Sequence, residues 1–352
     1  MRNKLSFRTI KLLVSFYCLF SGFTLSAQKI TQGEPVLVYA LPKTEFIIQL
    51  ETEKTIQKPG VFYRYAERYL ATNNVITEPK TLYQLKNIKV IARAIPDEHR
   101  TFSIPQKMSS QALHIVLNSQ GILCGVNILQ DKIVTKTNRI VRKQTAETVL
   151  PSGLLPLGEE YMMAGSEAKL AEGAAKQIYH IRESRLSLLT GDIDKLPADG
   201  TSMKTMLDGM NQKEQEFTEL FVGKTTRETQ VQTIVFLPTA STDNQLLFRF
   251  STLQGVVASN DLSGAPYYVN LTPVSVPVVT VNEKTNTPPS SLNYILPAVA
   301  NLSINNGLNT LFSEQFTVPQ LGVIVPVSDD ILKQRNVKIT IDPQTGRLIS
   351  IE

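Results

Sequence analysis

Apart from one short helical segment at Val61–Leu70, the spacing of apolar residues changes twice along this chain, from alternation to a helical repeat and back to alternation. That segregation places strands and helices in separate blocks. Pro35–Tyr39 and Glu45–Glu51 read as two strands separated at Leu41-Pro42-Lys43, where proline removes a ladder donor, and Pro59-Gly60 stops the second. Val61–Leu70 reads as a short helix because Phe62, Tyr65, Ala66 and Tyr69 fall on one face. Leu82–Ala94 is a further strand, and His114–Val126 is a hairpin folded at Asn118–Gly121. Residues 130–156 are polar and aperiodic and read as a bridge with room for one short strand.

The helical block follows. Ser166 opens a helix to about Leu189, with Ala168, Ala171, Ala175, Ile178 and Leu189 as its buried stripe and Gly191 as its cap. A second helix, Ser202–Phe221, carries Met203, Met206, Leu207, Met210, Phe217 and Leu220 on one face. A short loop joins the two, so they are expected to lie antiparallel. Strands return at Thr229–Leu237, Leu246–Ser251 and Pro266–Pro273. The tail, Val337–Ile351, alternates on both sides of Asp342–Gly346 as a second hairpin. The expected fold is α+β, mostly antiparallel sheet with sandwich-like N- and C-terminal parts and a long helical hairpin between them. Its expected divisions are a leader at 1–27, a β-rich part with one short helix at 28–150, the helical hairpin at 151–223 and a second β-rich part at 224–352.

The leader sets the compartment. Arg2, Lys4, Arg8 and Lys11 precede an apolar run, Leu12–Leu25, that ends in small residues at Ser26-Ala27, the pattern of an export signal cleaved before Gln28. The run is shorter than the roughly 20 residues needed to span a bilayer, so no transmembrane segment is expected after cleavage. Cys18 lies within it, leaving Cys124 as the one thiol, which excludes an internal disulfide. Cys124 sits in the apolar run Gly121–Val126 and reads as a buried, inert side chain. The chain has 36 basic and 31 acidic residues, but four of those cations belong to the leader, so the remainder is only about +1. With no basic block after Lys11, nucleic acid is not an expected partner.

Catalytic and metal constellations are scarce. Ser166-Glu-Ala-Lys169 matches the S-x-x-K spacing of penicillin-binding proteins. The companion motifs fail in order and identity, because Lys224-Thr-Thr226 precedes Ser328-Asp-Asp330, so Ser166 reads as a helix N-cap. His99, His114 and His180 are far apart and fit no zinc spacing; His99 is expected in an exposed loop. Asp192, Asp194 and Asp199 form the densest acidic cluster but lack an EF-hand pattern, and read as turn and capping groups bonded to Arg182, Arg185 or Lys195. Phe62, Tyr63, Tyr65 and Tyr69, mixed with Arg64 and Arg68, offer an aromatic platform for sugar rings. Helical spacing instead puts Phe62, Tyr65 and Tyr69 in the core and leaves Tyr63 outside. No dinucleotide fingerprint occurs, and no cofactor is expected.

Several stretches carry a family resemblance: Tyr39-Ala-Leu-Pro-Lys-Thr44, Lys58-Pro-Gly60, Tyr65–Leu70, the helix and loop from Ile178 to Gly200, Glu219–Thr226, Leu247–Ser251 and Asp261–Gly264. Together they resemble an exported family of Bacteroidetes catalogued as domain of unknown function 4831. The resemblance covers nearly all of the chain after the leader. It implies an envelope protein and brings no activity, cofactor or catalytic residue.

The expected function is a noncatalytic binding or structural module in the periplasm, at the outer membrane or secreted, with an envelope protein or glycan as partner. Its expected interaction surface is the helical hairpin, through Lys169, Lys176, Arg182, Glu183 and Arg185. Two alternatives stand beside it. One is a hydrolase acting on glycans or peptidoglycan through paired carboxylates. The other is an exported chaperone or inhibitor that adds a strand to a client at an open sheet edge.

Overall fold

The computed structural model describes residues 36–105, 107–108, 111–128, 158–163, 165–192, 199–278 and 292–352. The leader and the 130–156 bridge lie outside the described residues. Strands β1 (Val36–Lys58) and β2 (Lys80–Pro105) make a long antiparallel ribbon, with α1 (Ala66–Leu70) in the link between them. Two small pairs follow, β3 (Lys107–Met108) with β4 (Gln111–Ala112) and β5 (Ile115–Leu117) with β6 (Leu123–Val126). Next come α2 (Glu159–Met162), α3 (Glu167–Thr190) and α4 (Gly200–Val222). The chain then returns to strands: β7 (Lys224–Phe236), β8 (Thr242–Ser251), β9 (Gly255–Val257), β10 (Ala265–Ser275), β11 (Asn293–Asn305) and β12 (Thr310–Pro326). A short α5 (Asp329–Leu332) leads to the hairpin of β13 (Ile339–Ile341) and β14 (Leu348–Ile351). The fold is α+β with antiparallel sheets, as the sequence blocks require.

The two N-terminal strands expected from the Pro42 break are one. The β1–β2 register shifts between Ala40 and Pro42, so a bulge takes up the residue that cannot donate and the strand continues past it. Ala40 turns its N–H to the carbonyl of Gly121 instead, at 3.1 Å. That bond ties the ribbon to the first hairpin.

Three cores result. In the first, the sheet ordered β2-β1-β7 packs on the five-stranded sheet ordered β12-β11-β10-β8-β9. Alternate residues of β1, Phe46, Ile48 and Leu50, point inward with Ile88, Val90 and Phe236; they meet Phe248, Phe250, Val269, Leu271, Leu302 and Ile304. Burial of each such side chain contributes roughly 1.5–3 kcal/mol. The strands β11 and β12, which supply two of the five positions in that sheet, arise from a stretch the sequence did not resolve into elements.

The second core surrounds Tyr39, Leu41, Ile104, Leu123, Ile295, Ile339 and Ile341. Here the two hairpins recognised in sequence join into one sheet, ordered β14-β13-β6-β5. Segments on either side of the helices therefore share sheets, since β7 also pairs with β1. Both hairpin turns hold by side-chain acceptance: Asn118 Oδ1 takes the N–H groups of Gln120 and Ile122, and Asp342 Oδ1 takes that of Gln344. His99, expected in a loop, lies on β2 and is exposed.

The third core is helical. Phe62, Ala66, Ala171, Ala174, Ala175, Ile178, Phe217 and Phe221 bring α1, α3 and α4 together. Gly60 is required at this junction. A Cβ there would collide with the carbonyl of Leu220, which instead accepts from Phe62 N at 2.7 Å.

Candidate functional site

The helical arm is the region whose chemistry is least explained by packing. Ser166 caps α3 by accepting from Lys169 N, as its position in the sequence predicts, and Gly191 closes the helix at φ 78°. Asp199 caps α4 by accepting from Thr201 N and Ser202 N, both at 2.8 Å, which starts that helix earlier than Ser202. Those backbone bonds, with the Ser202 hydroxyl, hold the Asp199 carboxyl below its ordinary range.

Each helix runs for about 35 Å at 1.5 Å per residue, and its buried positions concentrate towards its base, with Leu188 the exception at the far end of α3. On α4 the fully buried positions are Phe217 and Phe221, both near its C-terminus. Two expectations are corrected here. The stripe of α3 turns at its far end onto Leu188, leaving Leu189 60 % exposed, and Met206 on α4 is 47 % exposed rather than covered. Leu186, at 63 %, joins them. The helical repeat of 3.6 carries the stripe to one side over 24 residues, and at the far end the other helix of the pair is the neighbour to pack against.

The charges of the arm are largely paired. Lys169 and Lys176 both reach Glu172, at 3.0 and 2.9 Å, and hold its carboxyl at about 2, the Lys176 hydrogen bond contributing most. Arg182 and Arg185 cross to α4 and grip Glu214 at 2.6 and 2.5 Å, with Asn211 accepting a further bond from Arg185. Partial burial opposes the charge on Glu214, but the two guanidinium bonds prevail and its pKa lies below the ordinary value. The arginines were expected to bond the interhelical aspartates; they bond Glu214 instead. Asp194 and Lys195 lie outside the described residues. Glu183 stays exposed. Glu214 was missed in sequence, although one signal pointed to it: it falls between Met210 and Phe217 at helical spacing, a carboxylate inside an apolar stripe.

The aromatic strip running from the turn before α1 into that helix is built inward, as its spacing predicts. Phe62 packs on Phe221 with ring centroids 5.6 Å apart, and Tyr65 and Tyr69 are half-buried. Tyr63, expected to be the exposed ring, is half-buried too. Its ring carries the Arg64 guanidinium at 5.6 Å, Tyr69 carries Arg68 at 5.4 Å, and Tyr179 carries Arg182 at 5.8 Å. Tyr179 also donates its hydroxyl to the carbonyl of Tyr69 at 2.7 Å, satisfying the end of α1. One face of each of these three rings is therefore taken by the chain's own cations, where a sugar would stack.

Beside the base of the arm, the link from α1 to β2 walls an open groove of about 840 Å³. Thr72, Asn74, Ile76, Glu78, Lys80 and Thr225 line it; among the described lining residues Glu78 is the one carboxylate. Hydrolysis by paired carboxylates needs a second one across the cleft. His114, in the link just before β5, and His180, on α3, are both exposed, and no group of three metal-ligating side chains occurs among the described residues. Cys124 is buried, and burial pushes its thiol pKa up, which keeps it unreactive. Among the described residues no helix is long and apolar enough to cross a membrane.

No curated protein and no solved structure matches the chain. The family model described as Domain of unknown function (DUF4831) matches residues 36–349, which takes in every strand and helix described above except the last two residues of β14. The ribbon, the paired hairpins and the helical arm are thus the body of a single family domain, and the chain belongs to the DUF4831 family.

Proposed function

We propose that this protein is an exported, noncatalytic binding module of the cell envelope, working in the periplasm or at the outer membrane, and that its helical arm is the element that engages a partner. The leader at residues 1–27 supports export. The observation that carries the binding role is the far end of the arm, where Leu186, Leu189 and Met206 stand exposed on two helices that Glu214 locks in register. Arg182 and Arg185 serve that locking and so present the surface ready-made; Glu183 lies exposed one turn before Leu186, while Lys169 and Lys176 pair with Glu172 nearer the base of α3. A ready-made surface loses less entropy on binding. The partner is a protein with an apolar groove rather than a glycan, because the Tyr63, Tyr69 and Tyr179 rings each have a face already stacked by arginine.

Envelope fractionation combined with a photocrosslinker at Leu189 tests this. The expected result is a discrete adduct in the envelope fraction from Leu189 and none from a probe at Ser313 on β12. Leu186→Asp with Leu189→Asp should abolish the adduct from a probe at Met206 without moving the melting temperature. Equal labelling from both probes, or no labelling at the arm, would refute the assignment.

A further inference from the structure

The two edges of the sheet β2-β1-β7 are unlike. Along β2 the edge carries Lys80, Lys86, Lys89 and Arg93, cations of the kind that discourage a foreign strand. Along β7 the charges stop at Glu228. Thr229–Phe236 contains no charged residue, no proline and no glycine, and is rich in the residue types that favour strands. Among the described residues no strand other than β1 pairs with β7.

The face pattern of this edge is self-complementary. Val231, Thr233 and Val235 stand opposite Glu51, Gln49 and Ile47 of β1, on the face turned away from the sandwich core. Val231 is 60 % exposed and Val235 58 %. Antiparallel pairing of two identical strands about a twofold axis perpendicular to the sheet requires opposed residues to share a face. Placing Thr233 on the axis sets Thr233 against its own copy. Val231 then faces Val235 of the other chain, and Val235 faces Val231. Aliphatic and threonine pairs across an antiparallel ladder are favourable, and this register opposes no two charges.

We propose that β7 is a homodimerisation edge, through which two copies of this chain join their three-stranded sheets into one six-stranded sheet with Thr233 on the symmetry axis. The strand contact is short, so the dimer is a reversible one that dissociates on dilution. Register is the sharp part of the proposal. Cα atoms opposed in an antiparallel pair lie about 4.5–5.5 Å apart, within the span of a disulfide.

The purified protein is therefore examined by sedimentation across a dilution series, beside Thr233→Cys, Thr229→Cys and Val231→Lys/Val235→Lys. The native Cys124 is buried and does not compete for oxidation. The proposal expects a concentration-dependent dimer, a disulfide-linked dimer from Thr233→Cys under mild oxidation, and none from Thr229→Cys, which this register places opposite Leu237. The double lysine variant sets like charges across the axis and should weaken the dimer by at least about tenfold with an unchanged melting temperature. A monomer at every concentration overturns the proposal, even if the edge captures an unrelated extended peptide. A dimer that tolerates the lysines, or one that crosslinks through Thr229→Cys instead, overturns it equally.

Discussion

Glu214 ties two arginines of the neighbouring helix to one carboxylate, and that makes it a pH-sensitive joint. Its folded pKa lies below its unfolded value of about 4.3, so the stabilisation is fully present above that value and is lost as pH falls through the folded pKa. Glu214→Gln should cost roughly 1 kcal/mol at neutral pH, because both arginines remain partly exposed. The variant should also lose less stability than the wild type between pH 5 and the acid limit, which thermal melts across that range would show. Two glycines make an opposed pair. Gly209 on α4 has nothing within 4 Å of where a Cβ would stand, so Gly209→Ala should stabilise by roughly 0.5–1 kcal/mol. Gly173 on α3 lies against the Tyr161 ring, so Gly173→Ala should lower the melting temperature despite the same gain in helix propensity. Denaturant titration of both variants checks the signs.

At the scale of elements, the joint between the two large sheets rests on Gln320. Its amide donates to the carbonyls of Thr44 and Pro238, at 2.7 and 3.2 Å, and accepts from Thr44 N at 2.9 Å. The β1–β7 pairing reaches only Phe46, and beyond it the side chain from β12 stands in for the missing strand. Arg100, paired to Asp97, adds bonds to the carbonyls of Pro319 and Gln320. Gln320→Ala should therefore cost roughly 2 kcal/mol by leaving buried backbone groups of β1 unpaired, measurable as a shifted urea midpoint. Such joints are invisible in sequence because Thr44 and Gln320 are far apart in the chain. What was legible was local: the turn chemistry of Asn118 and Asp342, the caps Ser166 and Gly191, and the inward spacing of Phe62, Ala66 and Tyr69. Pro42 misled because a bulge can absorb a missing donor when the strand has partners to hold it. The far ends of the helices misled because amphipathic spacing shows which side is apolar and not whether anything lies there to cover it. Glu214 was hidden for a related reason, since its partners sit on the other helix.

Across the whole molecule, β1 belongs to two cores at once, with Tyr39 and Leu41 in one and Phe46, Ile48 and Leu50 in the other. Shared backbone of that kind couples the cores. Heating should expose the Cys124 thiol, which lies beside the second core, in the same transition that removes far-ultraviolet ellipticity. Thiol labelling that clearly precedes the spectroscopic change would show the cores melting separately.

The bulge at Ala40–Pro42 sends β1 on from one core into the other, and this has a temporal consequence. Lys58 waits for Lys224, Ala40 for Gly121, and the hydroxyl of Tyr39 for the backbone N–H of Asn293. Contacts separated so widely close slowly. A chain emerging from its N-terminus can pair β1 with β2 early, but its other edge stays open until Lys224–Phe236 and then Asn293 arrive, so completion of that strand is timed by the second half of the chain.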